Sequence, residues 1–255
     1  MKAMILAAGL GTRLRPLTDT RPKALVEAAG RTLLEITIAR LRTFGVTEVI
    51  VNVHHFADMV VDYLKSKNNF GIRVEISREE ILLDTGGGLK QAALFFQERS
   101  APANEPFILH NVDIISTIDL RSMLQAHQTS HALATLAVQT RESSRQLLFD
   151  KNLQLSGRIN GRNAAPELVR QAVASAPEMS TLTPLAFSGI HIISPRLLPM
   201  LTETGVFSII PAYLRLAAQN QSIHAFRADR YHWRDLGRPQ DLAQAAQDFE
   251  KKVLS

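Results

Sequence analysis

The sequence of 255 residues predicts an α/β fold: a Rossmann-like, mainly parallel mixed sheet flanked by helices. Two observations carry this. Short runs of apolar β-formers alternate with segments whose apolar residues fall at helical spacing. Strands that alternate with helices need crossover connections, which bury a parallel sheet on both faces. The first run, Met4 to Leu6, enters a loop with two glycines, Gly9 and Gly11. Leu34, Ile38, Leu41 and Phe44 then mark a helix, and Gly45 is placed to cap it. Val49 to Val53 is the second strand and ends at His54 and His55; Met59, Val60, Tyr63 and Leu64 mark the next helix. Ile72 to Ile76 and Phe107 to Leu109 complete the first four strands. Beyond residue 130, "HALATLAVQT", "RQLLFD", "LAFSGIHII", "SIHAFRA" and "YHWRDLG" read as further strands, and a helix starts at Pro239, a favoured first-turn residue. The stretch 160–183, rich in Ala, Pro and Asn, reads as a loop or short helix over the site. No linker or repeat divides the chain, so residues 1–255 are expected to form one domain, with 1–130 and 131–255 as its two parts.

A hydrophobic content of 45% supplies a sizeable core and argues against global disorder. The formal charge of +5 is mild for this length and suits a small anionic ligand better than nucleic acid. With no cysteine, catalysis through a thiolate and a sulfur-rich zinc site are both excluded. The start "MKAMILAAG" has a lysine before an apolar run, as a signal peptide does, but the run is short and Arg13 and Arg15 follow at once. No stretch approaches the length of a membrane span, so the expected compartment is the cytoplasm and the expected partners include no membrane.

In open α/β sheets ligands gather beyond the carboxyl ends of the strands, and the opening loop sits at such an end. Gly9 and Gly11 let the backbone approach a ligand, and Arg13, Arg15, Arg21 and Lys23 crowd the same segment. "GLGTRL" has Leu14 where a dinucleotide fingerprint needs its third glycine, and "VNVHH" lacks the acidic residue that would hold a ribose. A nicotinamide cofactor is therefore disfavoured. No G-x-x-x-x-G-K-S/T motif occurs, so a P-loop is excluded. Adjacent histidines on a strand point to opposite faces, which leaves His54 and His55 a structural or rim role rather than a shared metal.

"LAAGLGTRLRPLTDTRPKAL" resembles the signature of the sugar-phosphate nucleotidyltransferase family, L-A-A-G-x-G-T-R-L-x-P-L-T followed by P-K-x-L. The resemblance continues in order through "TGGGLKQA", "HNVDI", "FSGIHIISP", "FSIIPAYL" and "WRDLGRPQDL". It implies a glycosyltransferase-A-like nucleotidyltransferase fold and a reaction in which a sugar 1-phosphate attacks the α-phosphorus of a nucleoside triphosphate. It further implies Arg13 and Lys23 as the catalytic cations and Asp113 and Asp235 as ligands of Mg²⁺. Leu6, Ala7, Ala8, Gly9, Gly11, Thr12, Gly86, Gly87 and Asn111 become the nucleotide-binding set, and Gly189 falls on the sugar side. The physical requirements agree: several phosphate charges must be brought together by cations and by a hard metal held on carboxylates.

Strand alternation would put Gly189 and His191 on one face. His191 reads as structural rather than as a base, because the attacking phosphate oxygen is already ionised at neutral pH. Trp233 reads as packing support for Asp235, and Arg15 and Arg21 receive no assigned task. Many relatives carry a Glu-Lys-Pro whose lysine reaches the sugar phosphate. Here the region reads "LQLSGRINGRNAAPELVRQ", with Arg158 or Arg162 as candidate substitutes. The compact length resembles N-acetylmuramate 1-phosphate uridylyltransferases and hexose-1-phosphate guanylyl- or thymidylyltransferases, with cell-wall nucleotide-sugar chemistry the leading expectation. A catalytically silent, regulatory module of the same fold is the alternative. It would have no need to keep Arg13, Lys23, Asp113 and Asp235 together. Nucleic-acid binding is weak as a reading, since the basic loop has no aromatic interleaving.

Overall fold

The computed structural model describes residues 1–97, 104–169 and 181–250. Its centre is a ten-stranded mixed sheet in the order β11 (Glu167–Leu168), β10 (Leu155–Asn160), β9 (Arg145–Phe149), β12 (Thr183–Ile193), β6 (Phe107–Asn111), β1 (Lys2–Leu6), β4 (Glu48–Val53), β5 (Arg73–Arg78), with β8 (Ala134–Gln139) paired to β12 and β13 (Ile223–Arg227) to β8, while β2 (Glu27–Ala28) and β3 (Arg31–Thr32) form a separate pair. The strands β1 (Lys2–Leu6), β4 (Glu48–Val53), β5 (Arg73–Arg78) and β6 (Phe107–Asn111) run parallel, as the alternating pattern predicted. The antiparallel character enters with β12 (Thr183–Ile193). This long strand pairs antiparallel with β6, with β9 (Arg145–Phe149) and with β8 (Ala134–Gln139). β12 therefore stitches the second half of the chain to the first.

Successive residues of β1 point to opposite faces, so Ala3 and Ile5 enter one buried cluster and Met4 the other. The first cluster is roofed by α1 (Leu33–Thr43) and α2 (Ala57–Ser66), with Leu242 and Ala245 of the C-terminal helix Pro239–Glu250. The second holds Leu89, Phe95 and Phe96 against the helix Ile209–Ala218, whose Tyr213 is fully buried. Thr32 caps α1 by accepting a hydrogen bond from the Glu35 amide at 3.1 Å, and Gly45 ends the turn after the helix at φ +80°. The strand-like runs after residue 130 appear as β8, β9, β12, β13 (Ile223–Arg227) and β14 (Trp233–Asp235). β10 (Leu155–Asn160) is an additional strand that leads into the stretch 160–183, and within that stretch, read as a loop or short helix, Glu167–Leu168 forms the short strand β11 paired with β10. Residues 170–180 of the expected loop over the site lie outside the described residues.

Gly189 departs from the alternation that was expected. Its φ is +74°, and the register between β12 and β8 shifts between Phe187 and His191. The bulge resets the pleat. A Cβ on Gly189 would meet Ile114 at 2.7 Å and Asn111 at 3.1 Å, whereas His191 meets the Phe187 and Tyr213 rings. The two residues do not share a face.

Three buried histidines make the fold acid-sensitive. Burial, first among the causes, holds His110 and His127 down to about 4 and His191 to about 3, against an ordinary value of 6.5. Burial also raises the Tyr213 hydroxyl, which stays protonated and shares a hydrogen bond of 3.0 Å with His191 Nδ1. Each histidine is neutral in the fold and titrates in the unfolded chain, so its share of stability is complete above pH 6.5 and is lost as pH falls from there toward 4. The full slope is about 1.4 kcal/mol per pH unit for each group. Urea unfolding at a series of pH values is expected to show this decline, and flat stability across the window would contradict it.

Candidate active site

The carboxyl ends of β1, β4 and β6 open onto a cavity of about 360 Å³. Its wall includes Leu6, Ala8 and Gly9 from the opening loop, Lys23, and Asn111 with Asp113 after β6. These six residues were expected at the site from the sequence, and the fold brings them together. Gly9 is exposed there, and a Cβ on it would meet no atom within 4 Å, so the backbone itself faces the space. Gly11 has the left-handed φ of +66° because the loop folds back on itself: a Cβ would come within 2.9 Å of Thr18 and 3.1 Å of Lys23. Thr18 locks that turn by donating to the Gly11 carbonyl at 2.9 Å. Thr12 begins the single 3-10 turn Thr12–Leu14 that carries Arg13. Ala7 is buried, and its amide donates to Asn52 Oδ1 at 2.7 Å.

Asn52 and Glu79 form the buried floor, which sequence reasoning missed. Asn52 Nδ2 donates to Glu79 Oε1 at 2.7 Å, and Glu79 Oε2 accepts the Leu83 amide at 2.9 Å. The position of Asn52 at the end of a parallel strand was the available signal. Asp84, Thr85 and Val206 add the outer wall.

Gly86 and Gly87, expected to bind the nucleotide, stand in the first turn of a helix directly after two cavity-lining residues, Asp84 and Thr85. They lie buried in α3 (Asp84–Gln91), outside the cavity lining, and both amides donate to the Phe207 carbonyl at 2.9 and 3.1 Å. A Cβ on Gly86 would strike the Phe207 ring, and one on Gly87 would come within 2.7 Å of the Gly205 carbonyl oxygen. These glycines let helix α3 pack closely under the segment 205–207, and their amides are spent on that packing.

Lys23 and Asp113 line the cavity, and beside them, outside its lining, stand Asp235 and Arg13, so that two carboxylates and two cations come together from distant parts of the chain. β14 pairs with β7 (Ile114–Ser116) so that Asp235 lies opposite Ile114, one residue from Asp113. The Leu236 amide donates to the Asp113 carbonyl at 2.8 Å and fixes that register. Lys23 Nζ donates to Asp113 Oδ2, both side chains being mostly buried. Arg13 reaches Asp235 at 3.9 Å and is more exposed. Gly237 donates its amide to Asp235 Oδ1 at 2.7 Å, and a side chain there would collide with Arg13. Burial first, and then the charge of Asp113, push the Asp235 carboxyl above the ordinary carboxylate range, with Lys23 and Arg13 opposing. Asn111 Oδ1 is buried without a hydrogen-bond partner among the described residues. Arg15 pairs with Asp19 at 3.3 Å, and Arg21 is exposed on the same loop.

On the far side of Asp235, Trp233 donates from Nε1 to the Ser188 carbonyl at 2.8 Å, and the Arg141 guanidinium lies 4.0 Å from its ring centre. His54 is tied to the Glu79 carbonyl at 2.9 Å, and His55 packs on Phe56. Arg158 is committed to Glu167 at 2.7 Å. Arg162 borders a separate depression with Glu142, Ser143, Ser144 and Gln146.

A parallel sheet with a glycine-bearing loop at its carboxyl edge, closed by cations and paired aspartates, defines an α/β nucleotidyltransferase. A profile of the nucleotidyl transferase family matches residues 2–147, and the chain belongs to this family of sugar-phosphate nucleotidyltransferases. It is 32% identical over 247 residues to an N-acetylmuramate alpha-1-phosphate uridylyltransferase of Caulobacter vibrioides, covering 93% of this chain and 92% of that one. It is 29% identical to a mannose-1-phosphate guanyltransferase of Kluyveromyces lactis, covering 95% of this chain and only 63% of that protein. Among solved structures it is similar to apo UDP-glucose pyrophosphorylase, with a TM-score of 0.77 at 19% identity and 99% of both chains covered. It also matches HddC from Yersinia pseudotuberculosis in complex with GMP-PN, at 0.73 and 21% identity over 97% of this chain and 99% of that one. Both structural likenesses establish the shared fold. Among the described residues no helix is long and apolar enough to cross a membrane.

Proposed function

We propose that the protein transfers a nucleotidyl group from a nucleoside triphosphate to a sugar 1-phosphate, releasing pyrophosphate. The cluster of Lys23 and Asp113 on the cavity wall with Asp235 and Arg13 beside them carries this reading. In the reaction an oxygen of the acceptor phosphate forms a bond to the α-phosphorus, the bond from that phosphorus to the β-bridging oxygen breaks, and pyrophosphate leaves with the electron pair. The nucleophile is already an anion, so no base is needed and the work is positioning and charge. Leu6, Ala8 and Gly9 offer backbone to the nucleotide, Asn52 and Glu79 stiffen the floor, Lys23 faces the reacting phosphates, and Arg13 faces the leaving group. Retention of all four charged residues in one place also argues against the silent-module reading.

The residues present fit a hard cation. Asp113 and Asp235 offer oxygen ligands only, and among the described residues no larger cluster of His, Cys, Asp or Glu competes for one. The raised Asp235 carboxyl, penalised by burial and by Asp113, is the group such a cation would relieve. Asp113 and Asp235 would hold Mg²⁺, which when bound neutralises phosphate charge.

Uridylyl transfer to N-acetylmuramate 1-phosphate is the leading specificity, supported by the relative that matches over nearly the full length of both chains. Guanylyl transfer to mannose 1-phosphate is the second reading, supported by a relative of similar identity but greater length. The first reading places the reaction in the cytoplasm, in the supply of nucleotide sugar for the cell wall. A pyrophosphate-release screen of the four common triphosphates against N-acetylmuramate, N-acetylglucosamine, glucose and mannose 1-phosphates separates these readings. UTP with N-acetylmuramate 1-phosphate is expected to give the highest kcat/KM, and a preference for GTP with mannose 1-phosphate would select the second.

A further inference from the structure

Arg141 lies just beyond β8 and is clamped from two sides. Its Nη2 donates to the Phe187 carbonyl at 2.6 Å, and its guanidinium stacks on Trp233 at 4.0 Å. Trp233 in turn donates to the Ser188 carbonyl at 2.8 Å, so arginine, indole and the β12 backbone fix one another. The clamp leaves donors unused. Arg141 Nε is buried without a hydrogen-bond partner, and among the described residues the guanidinium forms no ion pair. Nη1 has no bond there either, so that end of the guanidinium is committed to no acceptor among the described residues. A half-buried guanidinium is ordinarily paired, because leaving its charge and donors unsatisfied is costly. Ser188, whose carbonyl accepts from Trp233, shares the condition: its Oγ is also buried without a partner. Burial lowers the Arg141 pKa and the nearby Asp235 charge opposes that fall, which places the guanidinium within electrostatic reach of the reacting centre.

We infer that Arg141, held on Trp233 beside Asp235, binds the 1-phosphate of the acceptor sugar. This rests on the sugar-1-phosphate reading above and adds a residue to it. Lys23 and Asp113 line the nucleotide cavity, and Arg141 does not; it meets the charged cluster from the β8–β12 side, through Asp235 and Trp233. An in-line displacement needs the attacking anion opposite the leaving pyrophosphate, so a cation on that second side offsets the repulsion between two sets of phosphate charges. A planar guanidinium with its Nη1 uncommitted is suited to a phosphate oxygen, and stacking on an indole holds the plane without consuming donors. The two arginines that the sequence suggested for this task are placed elsewhere: Arg158 is paired with Glu167, and Arg162 borders the separate depression.

The test compares wild type, Arg141→Ala, Arg141→Lys and Arg162→Ala. Initial rates are measured with the best substrate pair from the screen, and calorimetric titration uses N-acetylmuramate, glucose and mannose 1-phosphates. Arg141→Ala is expected to raise KM for the sugar 1-phosphate by about 10- to 100-fold, with KM for the triphosphate changed by less than about twofold. Arg141→Lys keeps the charge without the fork and is expected to recover part of the loss; it serves as the second variant if alanine impairs folding. Arg162→Ala is expected to match wild type. Unchanged acceptor KM in Arg141→Ala, or an equal rise in both KM values, overturns the inference while leaving the transferase reading intact. Wild type that turns over no pair but binds a sugar 1-phosphate in an Arg141-dependent manner sinks the transferase reading and keeps the arginine's role. Absence of binding to every acceptor in both assays overturns both.

Discussion

Replacing Asp113 with asparagine is expected to lower turnover by at least ~10³-fold, with little change in the thermal midpoint. Asparagine preserves the shape of the side chain and can still accept a hydrogen bond from Lys23, so packing around the strand end survives. What disappears is one of two neighbouring anionic oxygen donors, the one that lines the cavity. The same change removes the charge that helps to raise the Asp235 carboxyl, so Asp235 ionises more readily in the variant. The loss of activity therefore cannot come from protonation of the remaining aspartate. Steady-state pyrophosphate release at saturating Mg²⁺ reads the effect. Retention of more than about a tenth of the wild-type rate would show that Asp113 has no essential role in placing charge.

Lys23→Met has the second largest expected effect, a fall of about 10²- to 10³-fold in kcat/KM. Lys23 is mostly buried, contacts Asp113 and lines the cavity where phosphates would lie, so methionine keeps the bulk and deletes the charge. There is a second consequence with a definite sign. Lys23 is one of the two cations that oppose the rise of the Asp235 pKa. Without it the carboxyl holds its proton to higher pH, and the acid limb of the rate profile moves upward in pH relative to wild type. A Lys23→Met profile with its acid limb unmoved or shifted downward would show that Lys23 does not act on this carboxylate.

The sequence made the charged centre legible because its chemistry is concentrated in short contiguous stretches. Arg13 and Lys23 share one loop with Gly9 and Gly11, and Asp113 and Asp235 each end a strand-like run. The parallel half of the sheet was legible for a similar reason, since β1, β4 and β6 are buried on both faces and read as unbroken apolar runs. What escaped notice depends on contacts made across the fold. Asn52 and Glu79 meet only because β4 and the end of β5 are neighbours, and neither stands out along the chain. Gly86 and Gly87 were assigned to the nucleotide because a glycine that admits a ligand and a glycine that admits a phenylalanine ring look the same in sequence. In the fold both pack against Phe207 and Gly205, directly after the cavity-lining Asp84 and Thr85. The bulge at Gly189 is a single residue of extra backbone, and no alternation pattern anticipates it. Arg141 lies in a loop among other polar residues, and only the positions of Trp233 and β12 set it apart.

The central claim is that this site moves a nucleotidyl group to a sugar 1-phosphate, and following the label of an α-³²P nucleoside triphosphate tests it most directly. With UTP, N-acetylmuramate 1-phosphate and Mg²⁺, the account predicts that the label enters a nucleotide sugar while pyrophosphate leaves unlabelled, and that both chelation and the Asp113→Asn change abolish the transfer. Failure of the label to reach any sugar 1-phosphate from any of the four triphosphates, or its recovery only in free nucleoside monophosphate, would contradict it.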